Sequence, residues 1–264
     1  MSWPLVWDIV GKMIKKLLSI FLLGSFLCLP VYASGIDSFA MLVDHMDGAD
    51  TSTTFTDSST AGVDSPRAMT ANGDAQVDTA QSKFGGASCL LDGTVDSVSA
   101  ADSEDWNFGT ADFTVDFWMR MNANSADVRA FEIGDSDTDG VHWNANDGAN
   151  NCKMRINGNT ITRAFTFSTN TWYHIEINRN GTDTRIFVDG TQLVGLGSNA
   201  SNITSGTQGI YIGNDTGGGL AFNGWIDEFR VSKGIARHTS DFTPETAAYS
   251  AASATHRFFQ VINE

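Results

Sequence analysis

The feature that most limits what this chain can fold into is strict two-residue alternation between turn-forming clusters. Residues 84–118 read FGGASCLLDGTVDSVSAADSEDWNFGTADFTVDFW. Ala87–Leu91 and Phe113–Met119 alternate, and Gly, Asp, Asn and Ser separate them, the pattern of half-buried strands. Phe113, Val115, Phe117 and Met119 fall on one face of the second run, and Thr114, Asp116, Trp118 and Arg120 on the other. So apolar a face must pack against another layer. No later stretch supplies a long amphipathic helix, so that layer is predicted to be a second sheet.

The rest of the chain keeps this rhythm. Asn157-Gly158, Asn180-Gly181 and Asp189-Gly190 each sit between alternating runs and predict hairpin turns. Trp172–Ile177 and Thr184–Val188 form one predicted hairpin, with Ile175 and Ile177 on one side and His174, Glu176 and Asn178 on the other. Ile210–Ile212 and Trp225–Val231 are further strands, and the polar stretch Ser198–Gly209 is a predicted surface loop.

Several ordered blocks carry a resemblance. They are "LVDHMDGADTSTTFTDSS" at 42–59, "KFGGAS", "LDG" and "DSEDWNFGTADFTVDFW" in the region described, "NTWYHIEINRNGTDTRIFVDGTQL" at 170–193, and "FNGWIDEFRVSKGIARHTSDFTPETAAY" at 222–249. The chain resembles the laminin-G-like jelly-roll family, within the concanavalin A-like lectins and glucanases. The resemblance implies an all-β, two-sheet antiparallel jelly-roll sandwich over residues 34–249. Residues 250–264 are then a C-terminal tail or the truncated start of a second module. This architecture hosts lectins, adhesion modules, enzymes and spacers, so it implies a fold more than a function.

Lys12, Lys15 and Lys16 precede the apolar run Leu17–Leu29, then Pro30 and Ala33. This order predicts a secretory signal over residues 1–33 with cleavage before Ser34, and a secreted, periplasmic or cell-surface location. The run is shorter than the ~20 residues of a membrane span, so no membrane attachment is expected after cleavage. The chain has 16 Lys and Arg against 31 Asp and Glu, a net charge of −15, and after residue 33 its only lysines are Lys83, Lys153 and Lys233. Such a surface repels phosphate backbones, which argues against nucleic acid as a partner. Beyond residue 33 the cysteines are Cys89 and Cys152. Export makes them the candidate pair for a disulfide.

Catalytic patterns are missing. No strand carries Glu-x-Asp-x-Glu or Glu-x-Asp-x-x-Glu, the convergent carboxyls that a glycosidase of this architecture needs. Glu176 stands alone in its strand, adjacent Asp227 and Glu228 should face opposite ways, and the Glu132 segment runs into a polar loop. No Gly-x-Ser-x-Gly elbow occurs. The chain therefore reads as a non-catalytic module.

Two kinds of binding site remain. Related sandwiches hold a structural calcium between their first and last strands, and by motif the resemblance points to Asp47 and Asp227, with Asp57 behind them. The same side chains equally suit the capping of turns. The run GDSDTDG at 134–140 resembles an EF-hand start but has Asn146 where the closing Glu should stand, so it reads as a solvated turn. For sugar, Asp116, Trp118 and Arg120 on one strand and His174 and Glu176 on another, with Asn178 beside them, would line a polar, aromatic groove if their faces are shared and open. Burial of Trp118 in a second core layer is the competing reading. Trp143, Asn144 and Asn146 form a second candidate site. The sequence thus suggests an exported module binding a glycan or cell-surface ligand, with a structural calcium. The alternatives are a spacer or adhesive module without a sugar site, and a glycan hydrolase.

Overall fold

The computed structural model describes residues 35–251 except 136, 137 and 147; the expected export signal and the last thirteen residues lie outside them. The strands are β1 (Gly35–Ile36), β2 (Ala40–Asp44), β3 (Thr70–Asn72), β4 (Gln76–Asp78), β5 (Ser88–Asp92) and β6 (Ser97–Ala100). They continue as β7 (Phe113–Met121), β8 (Val128–Ile133), β9 (Val141–Asn146), β10 (Asn151–Ile156), β11 (Asn159–Ala164) and β12 (Trp172–Asn180). Last come β13 (Asp183–Val188), β14 (Thr191–Gln192), β15 (Gly197–Ser198), β16 (Ile210–Ile212), β17 (Asn223–Lys233) and β18 (Ser250–Ala251). Among the described residues the only helix is one 3-10 turn, Glu104–Trp106. No described helix is long and apolar enough to cross a membrane.

The strands build two large antiparallel sheets, and β1 and β18 form a separate parallel pair. A seven-stranded sheet runs β11-β10-β9-β8-β16-β6-β3, and a nine-stranded sheet runs β14-β13-β12-β7-β17-β5-β4, with β15 on β13 and β2 on β17. The predicted hairpins at Asn157-Gly158, Asn180-Gly181 and Asp189-Gly190 join β10 to β11, β12 to β13 and β13 to β14. The expected surface loop after Ser198 is irregular but not superficial, since Ile203 and Ser205 in it are fully buried.

The core lies between the sheets. Phe117 of β7 stacks on Phe229 of β17 at 5.5 Å and meets Phe131 of β8 and Trp143 of β9 edge-on, at 5.9 and 5.8 Å. These contacts tie the sheets together with the aromatic geometry that ring quadrupoles favour. Trp143 is therefore a core residue, which removes it from the second candidate site.

Two strands break the alternation. In β17 Asp227 stands opposite Trp118 and Arg230 opposite Asp116, so three steps along β17 match two along β7. Glu228 supplies the bulge, with φ at 50°. In β8 Arg129 stands opposite Asn144, Phe131 opposite Trp143 and Glu132 opposite His142, so Ala130 is the extra residue, and Ala145 is its counterpart on β9, between the Val128–Asn146 and Arg129–Asn144 pairs. A bulge re-aims every side chain beyond it. Both bulges act on charged residues.

Candidate functional site

Antiparallel pairing of β12 with β7 sets His174 opposite Trp118, Glu176 opposite Asp116 and Trp172 opposite Arg120. Asp116, Trp118, Arg120, His174 and Glu176 thus share the outer face of the nine-stranded sheet. That face is not open, which corrects the expectation of an exposed stacking plane. Trp118 is 6% exposed, and Asp116, His174 and Glu176 are buried. The loop around 81–87 and the segment 234–249 cover it. Lys83 Nζ sits 3.7 Å over the Trp118 ring, and Phe84 meets that ring edge-on. His238 stacks on Phe242, which meets His174 edge-on.

Neighbouring strands and the covering segments together supply partners for the buried charges. Arg230 donates from Nε to Asp116 Oδ1 at 2.9 Å and from Nη2 to Oδ2, and the Tyr249 hydroxyl reaches the same carboxylate. Burial works to raise the Asp116 carboxyl, but the Arg230 charge and hydrogen bonds outweigh it and hold it below the ordinary range. Glu176 accepts from Asn178 Nδ2 and bonds His238 Nδ1, both at 2.7 Å. Arg120 packs over Trp225. Buried polar groups persist where they are paired in this way.

Of the three expected metal ligands, the fold brings two together. On its free side β17 pairs with β5 up to Ile226 and with β2 from Phe229. The bulge at Asp227–Glu228 occupies the interval. Asp227 Oδ2 accepts from the Lys83 and Phe84 backbone N–H at 2.6 and 3.1 Å. Its Oδ1 is buried with no partner among the described residues. Burial, with Glu228 and Asp47 nearby, pushes the Asp227 carboxyl up to about 7. Asp47 lies against Gly85, where a Cβ would collide with its carboxylate. The carboxylate of adjacent Glu228 bonds His45 Nδ1 at 2.9 Å and the Tyr249 N–H at 2.8 Å.

Asp57 stands apart as a turn cap. It accepts from the backbone N–H of Val43, Ser59 and Arg67 and from the Ser59 hydroxyl. Among the described residues no three His, Cys, Asp or Glu side chains converge on one point. The candidate disulfide between Cys89 and Cys152 is not formed. Cys89 and Cys152 are buried thiols on different sheets, with the Leu90 and Arg163 carbonyls as their respective neighbours.

The groove lies on the other sheet. An open groove of about 330 Å³ is lined by Asp127, Arg129, His142, Asn144, Lys153, Arg155, Thr160 and Leu220. Register explains the set: Arg155 stands beside His142 and Thr160, and Lys153 beside Asn144. Val141, Trp143, Ala145, Cys152, Met154 and Ile156 take the core side of the same strands. The β8 bulge then turns both Arg129 and Glu132 outward. Arg129 is the hub, donating from Nη1 to Glu132 Oε2 at 2.6 Å and from Nε to Asn144 Oδ1 at 3.3 Å, with Nη2 3.4 Å from His142 Nε2. A guanidinium only donates, so His142 Nε2 accepts and the ring proton sits on Nδ1. Burial, reinforced by the charges of Arg129, Arg155 and Lys153, pushes the His142 pKa down to about 2. The next strand adds half-buried Tyr211, opposite Glu132, with Ser99 beyond it.

Of the groove's lining only Asn144 is a candidate site residue on sequence grounds. The alternation in VHWNAN and NCKMRI was a usable signal for His142, Lys153 and Arg155; nothing local marked Arg129. Asn146 instead caps a turn, accepting from the Gly148 N–H.

The Laminin_G_3 family model, described as concanavalin A-like lectin/glucanases superfamily, matches residues 92–238. The chain belongs to that superfamily. No curated protein matches it in sequence. Solved structures of this sandwich type include domain 4 of AbnA, a GH43 extracellular arabinanase from Geobacillus stearothermophilus, in complex with arabinotriose. It superposes with a TM-score of 0.57 at 17% identity, over 75% of this chain and 96% of that domain. The binding domain of Paraclostridial Mosquitocidal Protein 1 matches with a TM-score of 0.56 at 16% identity, over 75% of this chain and 50% of that one. Botulinum neurotoxin type C, which depends on two ganglioside molecules to enter cells, matches with a TM-score of 0.55 at 15% identity, over 76% of this chain and 50% of its own. The superfamily chain thus spans nearly all of the arabinanase domain and half of each toxin chain. At these identities the likeness establishes the fold.

Proposed function

We propose that the chain is an exported, non-catalytic recognition module that binds a glycan along the outer face of the seven-stranded sheet. The groove around Arg129 carries this reading. At about 330 Å³ it falls in the size range of small-ligand sites. Its Asn144, His142 and Thr160 offer the mixed donors and acceptors that read sugar hydroxyls, and half-buried Tyr211 offers a ring face nearby. Export rests on the order of charges, apolar run and small residue before Ser34.

Hydrolysis is disfavoured because it needs two carboxyls flanking one glycosidic bond. Among the described residues one carboxylate, Asp127, lines the groove, and Glu132 behind it is held by Arg129 and the Thr216 N–H. A structural calcium belongs to the same proposal. The orphaned Asp227 Oδ1 and the Asp47 carboxylate suit a hard cation, which main-chain oxygens would help to hold. Asp57, engaged by four donors, is left out of the set.

The test is a glycan array with wild type, Asn144→Ala and Tyr211→Ala, each checked for fold by circular dichroism. Binding lost in folded variants supports the groove. Undiminished binding by both places the site elsewhere, and a wild type that binds no glycan leaves the spacer reading.

A further inference from the structure

We propose that a second saccharide site, separate from the groove, lies on the outer face of the nine-stranded sheet, where Trp172, Arg120 and Trp225 form a row that takes a neutral, extended oligosaccharide. Register sets the row. Arg120 of β7 pairs with Trp172 of β12 on one side and with Trp225 of β17 on the other. Leu90 of β5, opposite Trp225, extends it. The cover over this face closes on Trp118, two residues back along β7. At the row itself all four side chains are half-buried, so both indoles meet water.

Unsatisfied groups mark the row as a site rather than as packing. Among the described residues the Arg120 guanidinium forms no ion pair and no hydrogen bond, although the chain has 31 Asp and Glu. Its Nη1 is shut off from water without an acceptor, which is unfavourable until a ligand oxygen satisfies it. The guanidinium packs over Trp225, 4.8 Å from the ring centroid, and the Trp225 Nε1 donates to Asp78 Oδ2 at 2.7 Å. These two contacts fix the plane of that indole. Trp172 makes no hydrogen bond or ring contact among the described residues, so its ring is left for a partner.

The chemistry of the row selects its occupant. An indole stacks on the apolar face of a sugar ring, and a guanidinium donates to the hydroxyl oxygens at the ring's edge. Exposed Asn122 and half-buried Asn223 stand at the next alternate positions along β7 and β17 and bring amides to the rim. The two indoles stand two strand spacings apart, ~9.5 Å at the backbone. One sugar ring cannot cover both, so the row addresses successive rings of a chain. A net charge of −15 repels an anionic chain and a second copy of this protein alike. A neutral, hydroxyl-rich chain meets no such repulsion.

The experiment is titration calorimetry with cellohexaose, xylohexaose and mannohexaose, and with the matching monosaccharides. It compares wild type with Trp172→Ala, Arg120→Gln, Trp225→Ala and the groove variant Asn144→Ala, each checked by thermal melting. Wild type should bind at least one hexasaccharide, and its monosaccharide about tenfold more weakly, because a single ring reaches a single indole. Trp172→Ala and Arg120→Gln should each weaken the hexasaccharide about tenfold, on the order of one lost stacking or charge-assisted contact. Trp172→Ala keeps the test sound if Trp225→Ala fails to fold. Binding that falls with Asn144→Ala yet survives Trp172→Ala and Arg120→Gln overturns the second site and leaves the groove reading standing. Binding that falls with the row variants yet survives Asn144→Ala supports the second site and counts against the groove. A stoichiometry that drops by one chain in either set supports both. A wild type that binds no hexasaccharide, or a dimer that dissociates on Trp172→Ala, overturns the second site.

Discussion

Arg129 Nη1 donates to Glu132 Oε2 at 2.6 Å although the two residues stand three apart on one strand. On a regular strand they would face opposite ways. The extra residue Ala130 brings them to one face, where both are buried. Breaking such a pair leaves an uncompensated buried charge. Glu132→Ala should cost ~3–5 kcal/mol, and Arg129→Leu with Glu132→Leu should recover much of it. Urea unfolding of the singles and the double decides this; additive losses would show that the two residues are not coupled.

The two faces of β7 should respond alike to truncation. Phe117 is fully buried between the sheets and Trp118 is 6% exposed beneath Lys83 and Phe84. Phe117→Ala and Trp118→Ala should each lose ~3–5 kcal/mol. A Trp118 loss below about 1 kcal/mol, the range of surface sites, would mean that its cover is not a stable part of the fold.

Calcium should raise the melting temperature relative to chelator, through Asp47 and Asp227. A ligand that binds only the folded state adds ~2.7 kcal/mol at a hundred times its dissociation constant. Asp227→Asn should remove the calcium response and cost little in chelator, because it deletes an orphaned buried carboxylate. An identical midpoint for wild type in calcium and in chelator would count against a structural ion.

His174 should make the protein acid-sensitive. Burial, partly opposed by Asp116, pushes its pKa down from 6.5 to about 4. Between those values the unfolded chain binds the extra proton, so stability is present above pH 6.5 and is lost as pH falls towards 4. The loss attributable to this ring is on the order of 3 kcal/mol. Unfolding of wild type and His174→Gln at pH 7, 5.5 and 4.5 isolates it, since other titrating groups cancel in the difference. Parallel profiles would refute the assignment.

The sequence by itself determined the fold class, the hairpins and the inward face of β7. Alternation and turn chemistry are local, and Phe113, Val115 and Phe117 have one face to occupy whatever surrounds them. It also placed Asp116 with Trp118 on one face of β7 and His174 with Glu176 on one face of β12, and the register then joined the two faces. Only the tertiary structure decided that this face is covered, because the cover comes from residues far away in the chain, Lys83 and Phe84 on one side and His238, Phe242 and Tyr249 on the other. Tertiary structure also decided where alternation fails. An inserted residue such as Ala130 or Glu228 leaves no mark in composition; it appears only when a neighbouring strand fixes the register. Those two bulges shifted the register of β17 at Glu228 and set Arg129 beside Glu132, and so the groove lay beyond the reach of the pattern that had revealed the sheets.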